Sequence, residues 1–155
     1  MRTLTSSIVV VILAALLASA ALAEGADPTA RAGFIGAIQA SGAKGALKVR
    51  YRCAPAKGVH LWVSAKQTTS GLSATKLMKE GSSRSSGAWW ESHRNAIACN
   101  SAWHTATFTI DAVEKGSKGT LRPGTAWVQF CITTGTTEKN TVLLLSQSGW
   151  VHVSA

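Results

Sequence analysis

Glu91, His93, Cys99 and His104 are the sharpest cluster of metal-ligating and nucleophilic side chains in this sequence. Two imidazoles, a thiol and a carboxylate could bind zinc, or set a cysteine nucleophile beside a histidine base. The surrounding pattern argues for a plainer role. His104 falls on the core phase of an alternating segment, Cys99 is wanted for a disulfide, and Glu91 and His93 lie in a polar approach to that segment. The common signatures of hydrolases, zinc proteases, nucleotide sites and paired Cys-x-x-Cys are absent. The carboxylates Glu24, Asp27, Glu80, Glu91, Asp111, Glu114 and Glu138 sit mostly in loops or at strand ends, so no two are placed to face each other across a glycosidic bond. No catalytic residue, cofactor or metal is expected, and the chain reads as a binding module rather than an enzyme.

Two groups of side chains could bind. Tryptophan is over-represented, with six against one tyrosine and three phenylalanines. Trp62, Trp127 and Trp150 fall on the non-core phase of their segments, with Gln129 between them, and indoles beside polar donors make a surface suited to sugars or polymers. The competing expectation is a second core: residues 68–94 carry Leu72, Leu77, Met78, Trp89 and Trp90, which could fold across that face. Lys48, Arg50 and Arg52 form the other group, a basic face suited to anions or simply to solvation.

The elements that must carry these groups are strands. Leu47, Val49, Tyr51 and Cys53 alternate with Lys48, Arg50 and Arg52, and Val59–Gln67 and Trp103–Asp111 repeat the period of two. Thr125–Thr133 is apolar on nearly both sides, Phe34–Ala40 is a weaker strand, and Thr141–Leu145 with Gly149–Val153 makes a broken last one. Turns at Pro55–Gly58, Gly116–Gly119 and Pro123–Gly124 separate them. The expected fold is an all-β, immunoglobulin-like antiparallel β-sandwich over residues 33–155, after a flexible lead at 24–32. Residues 68–94 form a long irregular connection, with a helical turn at Ser73–Glu80 and a loop at Gly81–Gly87.

Three cysteines permit one intramolecular bond. In immunoglobulin-like order the second and fifth strands are antiparallel neighbours, which brings Cys53 to Cys99. The rival pairing, Cys53 with Cys131, is the inter-sheet bond of antibody domains; against it, Cys131 lies opposite the core phase of Ala126, Val128, Phe130 and Ile132. Gln129, not tyrosine, stands two residues before Cys131, so a true antibody-type domain is not expected. The remaining thiol, Cys131, is buried or joins two chains as a disulfide dimer.

Arg2, the apolar run Ile8–Leu17 and the small residues ending in Ala21, Leu22 and Ala23 have the form of a signal peptide, residues 1–23, cleaved before Glu24. The apolar core is shorter than a bilayer span, and no later stretch is long and apolar enough to cross. A secreted, extracellular protein is expected. The full chain's formal net charge of +9, one less once Arg2 leaves with the signal peptide, favours an anionic cell-wall or glycan polymer, or a protein, as partner. There is no specific nucleic-acid motif, and no basic run of five or more.

Val49–Cys53, Leu61–Gln67, Ser92–Asn95, Thr105–Thr109 and Arg122–Cys131 together resemble a family of small secreted actinobacterial proteins over about residues 46–132. The resemblance implies a location outside the cell and a β-sandwich, and carries over no catalytic or binding residue. The alternative function is a small extracellular enzyme or enzyme inhibitor that uses the 68–94 loop.

Overall fold

A computed structural model describes residues 29–68, 74–79, 86–94, 97–135 and 140–154. The expected signal peptide at 1–23, most of the expected lead at 24–32 and most of the expected Gly81–Gly87 loop lie outside the described residues.

Among the described residues seven strands and one short helix follow in the order β1 Arg31–Ser41, β2 Lys44–Arg52, β3 Val59–Gln67, α1 Ala74–Leu77, β4 Ala88–Arg94, β5 His104–Asp111, β6 Gly124–Thr134 and β7 Val142–Ser154. The chain is therefore all-β. The strands close into a barrel ordered β1-β2-β5-β4-β3-β6-β7, where the sequence pattern suggested an immunoglobulin-like antiparallel sandwich. One closure is parallel: β1 meets β7 at Ile38↔Val153 and Gln39↔Ser154. The other is a single pair, Glu91↔Asp111, between β4 and β5. Long ladders within β1-β2-β5 and within β4-β3-β6-β7 are thus joined by two thin seams.

The alternation in β2 dictates its orientation. Leu47, Val49 and Tyr51 turn inward and are buried, while Lys48 and Arg50 are exposed. The inner faces of the other strands supply Ile38, Leu61, Val63, Trp90, Ile110, Val128, Phe130, Ile132 and Val153, all nearly or fully buried. Phe108 and Phe130 rings meet at 5.3 Å, and Tyr51 touches both at 5.9 Å. Each buried aromatic or branched aliphatic side chain contributes on the order of 1.5–3 kcal/mol relative to exposure.

Cys53 and Cys99 form a disulfide across a sequence separation of 46, with Cα atoms 4.9 Å apart. The β2–β5 register explains it: Tyr51 pairs with His104, so the end of β2 meets the chain entering β5. Constraining an unfolded loop of this length corresponds to about 4 kcal/mol in the chain-entropy account.

Several elements differ from their sequence outline. The lead ends earlier than expected, because β1 already begins at Arg31 and Ala30 is buried. β1 is eleven residues long, and its weak signal comes from a register shift between Ile35 and Gln39, where Gly36 has φ 70°. The expected break in the last strand is absent, since β7 pairs with β6 from Val142 to Val153 and absorbs its irregularity as a shift opposite Ile132 and Thr133. The irregular connection ends in a strand: β4 hydrogen-bonds to β3 from Ala88 to Arg94. Its alternation is hidden because both sides are covered, Ala88, Trp90 and Ser92 on one and Glu91 on the other. Gly119 (φ 67°) lets the chain pass close by, since a Cβ there would collide with the Gly87 carbonyl.

Tyr51 is the one tyrosine in the chain. Burial pushes its phenol above the ordinary 10.0, and a hydrogen bond at the Ala98 backbone opposes that shift. The folded chain holds the proton longer than the unfolded chain, so this contribution to stability is intact below the unfolded tyrosine pKa and is lost as pH rises through the folded value. Absorbance titration should give a higher midpoint for the native than for the urea-unfolded protein; equal midpoints would contradict the burial.

Candidate functional site

The register of the four-stranded half arranges its outer side chains in rows. Trp89, Lys66, Trp127 and Trp150 stand side by side across β4, β3, β6 and β7; Glu91, Ser64, Gln129 and Ser148 form the next row; His93, Trp62, Cys131 and Ser146 the third. The tryptophans singled out in the sequence are therefore neighbours, but their accessibility is uneven. Trp127 is 8% exposed and Trp150 41%, with the two rings edge-on at 5.1 Å. Trp62 and Gln129 are half-buried.

The centre of this face is closed. Lys66 is buried, and its ammonium donates to the Lys79 carbonyl at 3.4 Å, which holds the chain just after α1 against β3. Glu91 is buried as well. Its Oε2 accepts the Trp62 Nε1–H at 2.9 Å, and its backbone N–H donates to Ser117 Oγ at 3.0 Å. The buried Nε1–H groups of Trp89 and Trp127 find no acceptor among the described residues. Much of the tryptophan face is thus a covered layer; among the described residues the β7 edge, with Trp150, Ser148 and Ser146, and His93 on β4 are exposed. Cys131 stays a thiol, half-buried and 3.7 Å from Ser146 Oγ.

The polar cluster of Glu91, His93, Cys99 and His104 is dispersed. Cys99 is in the disulfide, His93 Nδ1 lies 3.4 Å from Glu114 Oε1, and His104 stacks on Tyr51 while its Nε2 meets Asn100 Oδ1 at 2.7 Å. Among the described residues no group of three or more His, Cys, Asp or Glu could hold a metal ion. A groove of about 740 Å³ opens near Gln67, Gly87, Gly119, Arg122 and Thr125, and among the described residues its lining contains no His, Cys, Asp or Glu. Gln67 clamps the backbone of Arg122 through two bonds of 2.8 Å, so its amide is committed to structure.

The outer face of β1-β2-β5 is different in kind. Lys48, Arg50 and Arg52 occupy successive outward positions of β2, flanked on β5 by Thr107 and Thr105 and on β1 by Ile35, Gly33 and Arg31. Trp103, 46% exposed, stands just ahead of β5. The Arg50 guanidinium lies 4.6 Å from the centre of its ring and that of Arg52 5.6 Å away. Arg52 also donates Nε–H and Nη2–H to the Thr29 carbonyl at 3.3 and 3.1 Å. Sequence reasoning had the three cations but missed Trp103, whose outward phase, shared with Thr105, Thr107 and Thr109, was the signal available.

The described carboxylates are Glu91, Asp111 and Glu114, and they lie on β4, at the end of β5 and in the turn after it. None forms an ion pair with Lys48, Arg50 or Arg52. An indole face in place of a counter-ion leaves a guanidinium its full charge and holds its plane in position, for about 0.5–1 kcal/mol at an exposed site.

No protein family profile matches the chain, and no curated protein matches it. Among solved structures it is similar to one described as the crystal structure of the C-terminal domain of wzt, at 12% identity over 84% of this chain and 81% of that one, with a TM-score of 0.38. No residue role is carried across from it.

The Trp62–Glu91 bond yields a stability prediction. Trp62→Phe keeps a ring but removes a donor from a buried carboxylate, and should cost about 1–3 kcal/mol in urea denaturation. Trp150→Phe, at an open position, should stay within about 0.5 kcal/mol; equal effects of the two would contradict the closed-layer description.

Proposed function

We propose that the chain is an exported, non-enzymatic binding module that contacts an acidic polymer through the outer face of β1, β2 and β5. The observation that carries this reading is the pair of guanidiniums, Arg50 and Arg52, held over the exposed Trp103 ring beside Lys48, with no carboxylate pairing among the described residues. Cations that exist only to solvate a strand gain nothing from being held in place. A pre-positioned row loses less side-chain entropy when an anionic chain lies along it.

Export rests on the leader-like residues 1–23 together with the disulfide, a bond that persists in oxidising compartments. Among the described residues no helix is long and apolar enough to cross a membrane. For the fold we favour an immunoglobulin-like reading, with β1-β2-β5 as one sheet, β4-β3-β6-β7 as the other, and two thin seams between them. Antiparallel pairing of the second and fifth strands and of the third and sixth supports it. A place among small secreted actinobacterial proteins belongs to the same proposal.

The test is co-sedimentation with an insoluble acidic polymer, using near-UV circular dichroism to monitor the fold. Lys48→Gln/Arg50→Gln/Arg52→Gln should weaken binding at least about tenfold while the fold persists, and rising salt should weaken the wild type similarly as the charges are screened. Undiminished binding by a folded triple variant would overturn the proposal.

A further inference from the structure

Lys48, Arg50 and Arg52 face outward at every second residue of one continuous strand. Successive outward positions on a strand lie about 7 Å apart. That step spans six backbone bonds of extended chain, so a polymer matches it charge for charge when it carries one negative group per six backbone bonds. A phosphodiester with a three-carbon bridge has this repeat: phosphorus, oxygen, three carbons and oxygen. A carboxylate on every sugar of a glycan places its charges closer than the step, and one on every second sugar places them farther apart.

Resting on the acidic-polymer reading above, we propose that this face binds a linear polyol phosphodiester, of the poly(glycerol phosphate) type, laid along β2. Two of the three cations are arginines, whose planar fork matches phosphate oxygens in pairs. The track is open on one side at its centre: Gly33 sits beside Arg50, and a Cβ there would meet nothing within 4 Å. On the other side Thr105 and Thr107, both exposed, stand beside Arg50 and Lys48 and offer hydroxyls to the free hydroxyls of a polyol. Both guanidiniums lie against the Trp103 ring, which fixes the arginine end of the row.

Single-stranded nucleic acid has the same phosphate repeat but is gripped through aromatic platforms on which successive bases stack. This face offers one exposed indole, and Arg50 already stands over it. The polyol polymer, which needs no stacking platform, is the better fit.

The experiment titrates the oxidised full chain with poly(glycerol phosphate), polygalacturonate and an oligothymidylate at equal charge concentration. Binding of poly(glycerol phosphate) should be at least about tenfold tighter than of either other polymer. Arg50→Thr/Thr105→Arg keeps the net charge of the patch but moves the middle cation onto β5, and should lose about tenfold in affinity for poly(glycerol phosphate). Equal or tighter binding of polygalacturonate would overturn the phosphodiester assignment, and equal or tighter binding of the oligothymidylate would overturn the polyol assignment, each leaving the acidic-polymer reading in place. Binding of none of the three would overturn both, and wild-type affinity in the double variant would overturn the spacing argument. The comparison of polymers uses the wild-type chain, so it stands whether or not the double variant folds.

Discussion

The register between β2 and β5 sets the geometry of both the core and the proposed binding face. It turns Leu47, Val49 and Tyr51 inward against Phe108, Ala106 and His104, and it brings Cys53 to the chain entering β5, where Cys99 closes the disulfide. The same pairing turns Lys48, Arg50 and Arg52 outward beside Thr107, Thr105 and Trp103. A slip of one residue would exchange the two sets, placing three cations in the core and a tyrosine and two aliphatics in solvent. The penalty for burying unpaired charge fixes the register, and the cation row follows from it.

The two halves of the barrel use aromatic side chains in opposite ways. On the β4-β3-β6-β7 side, Trp62 and Trp127 are drawn into a layer that also encloses Lys66 and Glu91, and the indole of Trp62 serves the Glu91 carboxylate. On the β1-β2-β5 side, Trp103 serves cations and remains open to solvent. The described carboxylates gather near the β4–β5 seam, where Glu91 pairs with Asp111 and Glu114 approaches His93. Asp111 shares the outward phase of β5 and stands opposite Lys44, but no described carboxylate forms an ion pair with Lys48, Arg50 or Arg52, so that row keeps the positive charge that attracts a polyanion.

Strands with one buried face were legible in the sequence, because Leu47 to Cys53 and Val59 to Gln67 show the period of two directly. The Cys53–Cys99 pairing followed from the neighbour relation of the second and fifth strands. β4 was not legible, since Trp89, Trp90 and Glu91 are covered from both sides and show no alternation. Barrel closure could not be read either: it depends on three residue pairs at two seams, and no local pattern encodes them. The tryptophans were visible as an outward set, but which of them stay open depends on the chain that crosses them. Trp103 showed the outward phase of its segment, but its partnership with Arg50 and Arg52 emerged only once the register was known.

A backbone amide and indole chemical-shift map of the isotope-labelled protein, titrated with poly(glycerol phosphate), would locate the binding face residue by residue. The account predicts shifts at Lys48, Arg50, Arg52, Thr105 and Thr107 and at the Trp103 indole N–H, with Trp150, Ser148 and Gln129 unmoved. Shifts confined to Trp150, Ser148 and Gln129 would contradict it and place binding on the open edge of the tryptophan face.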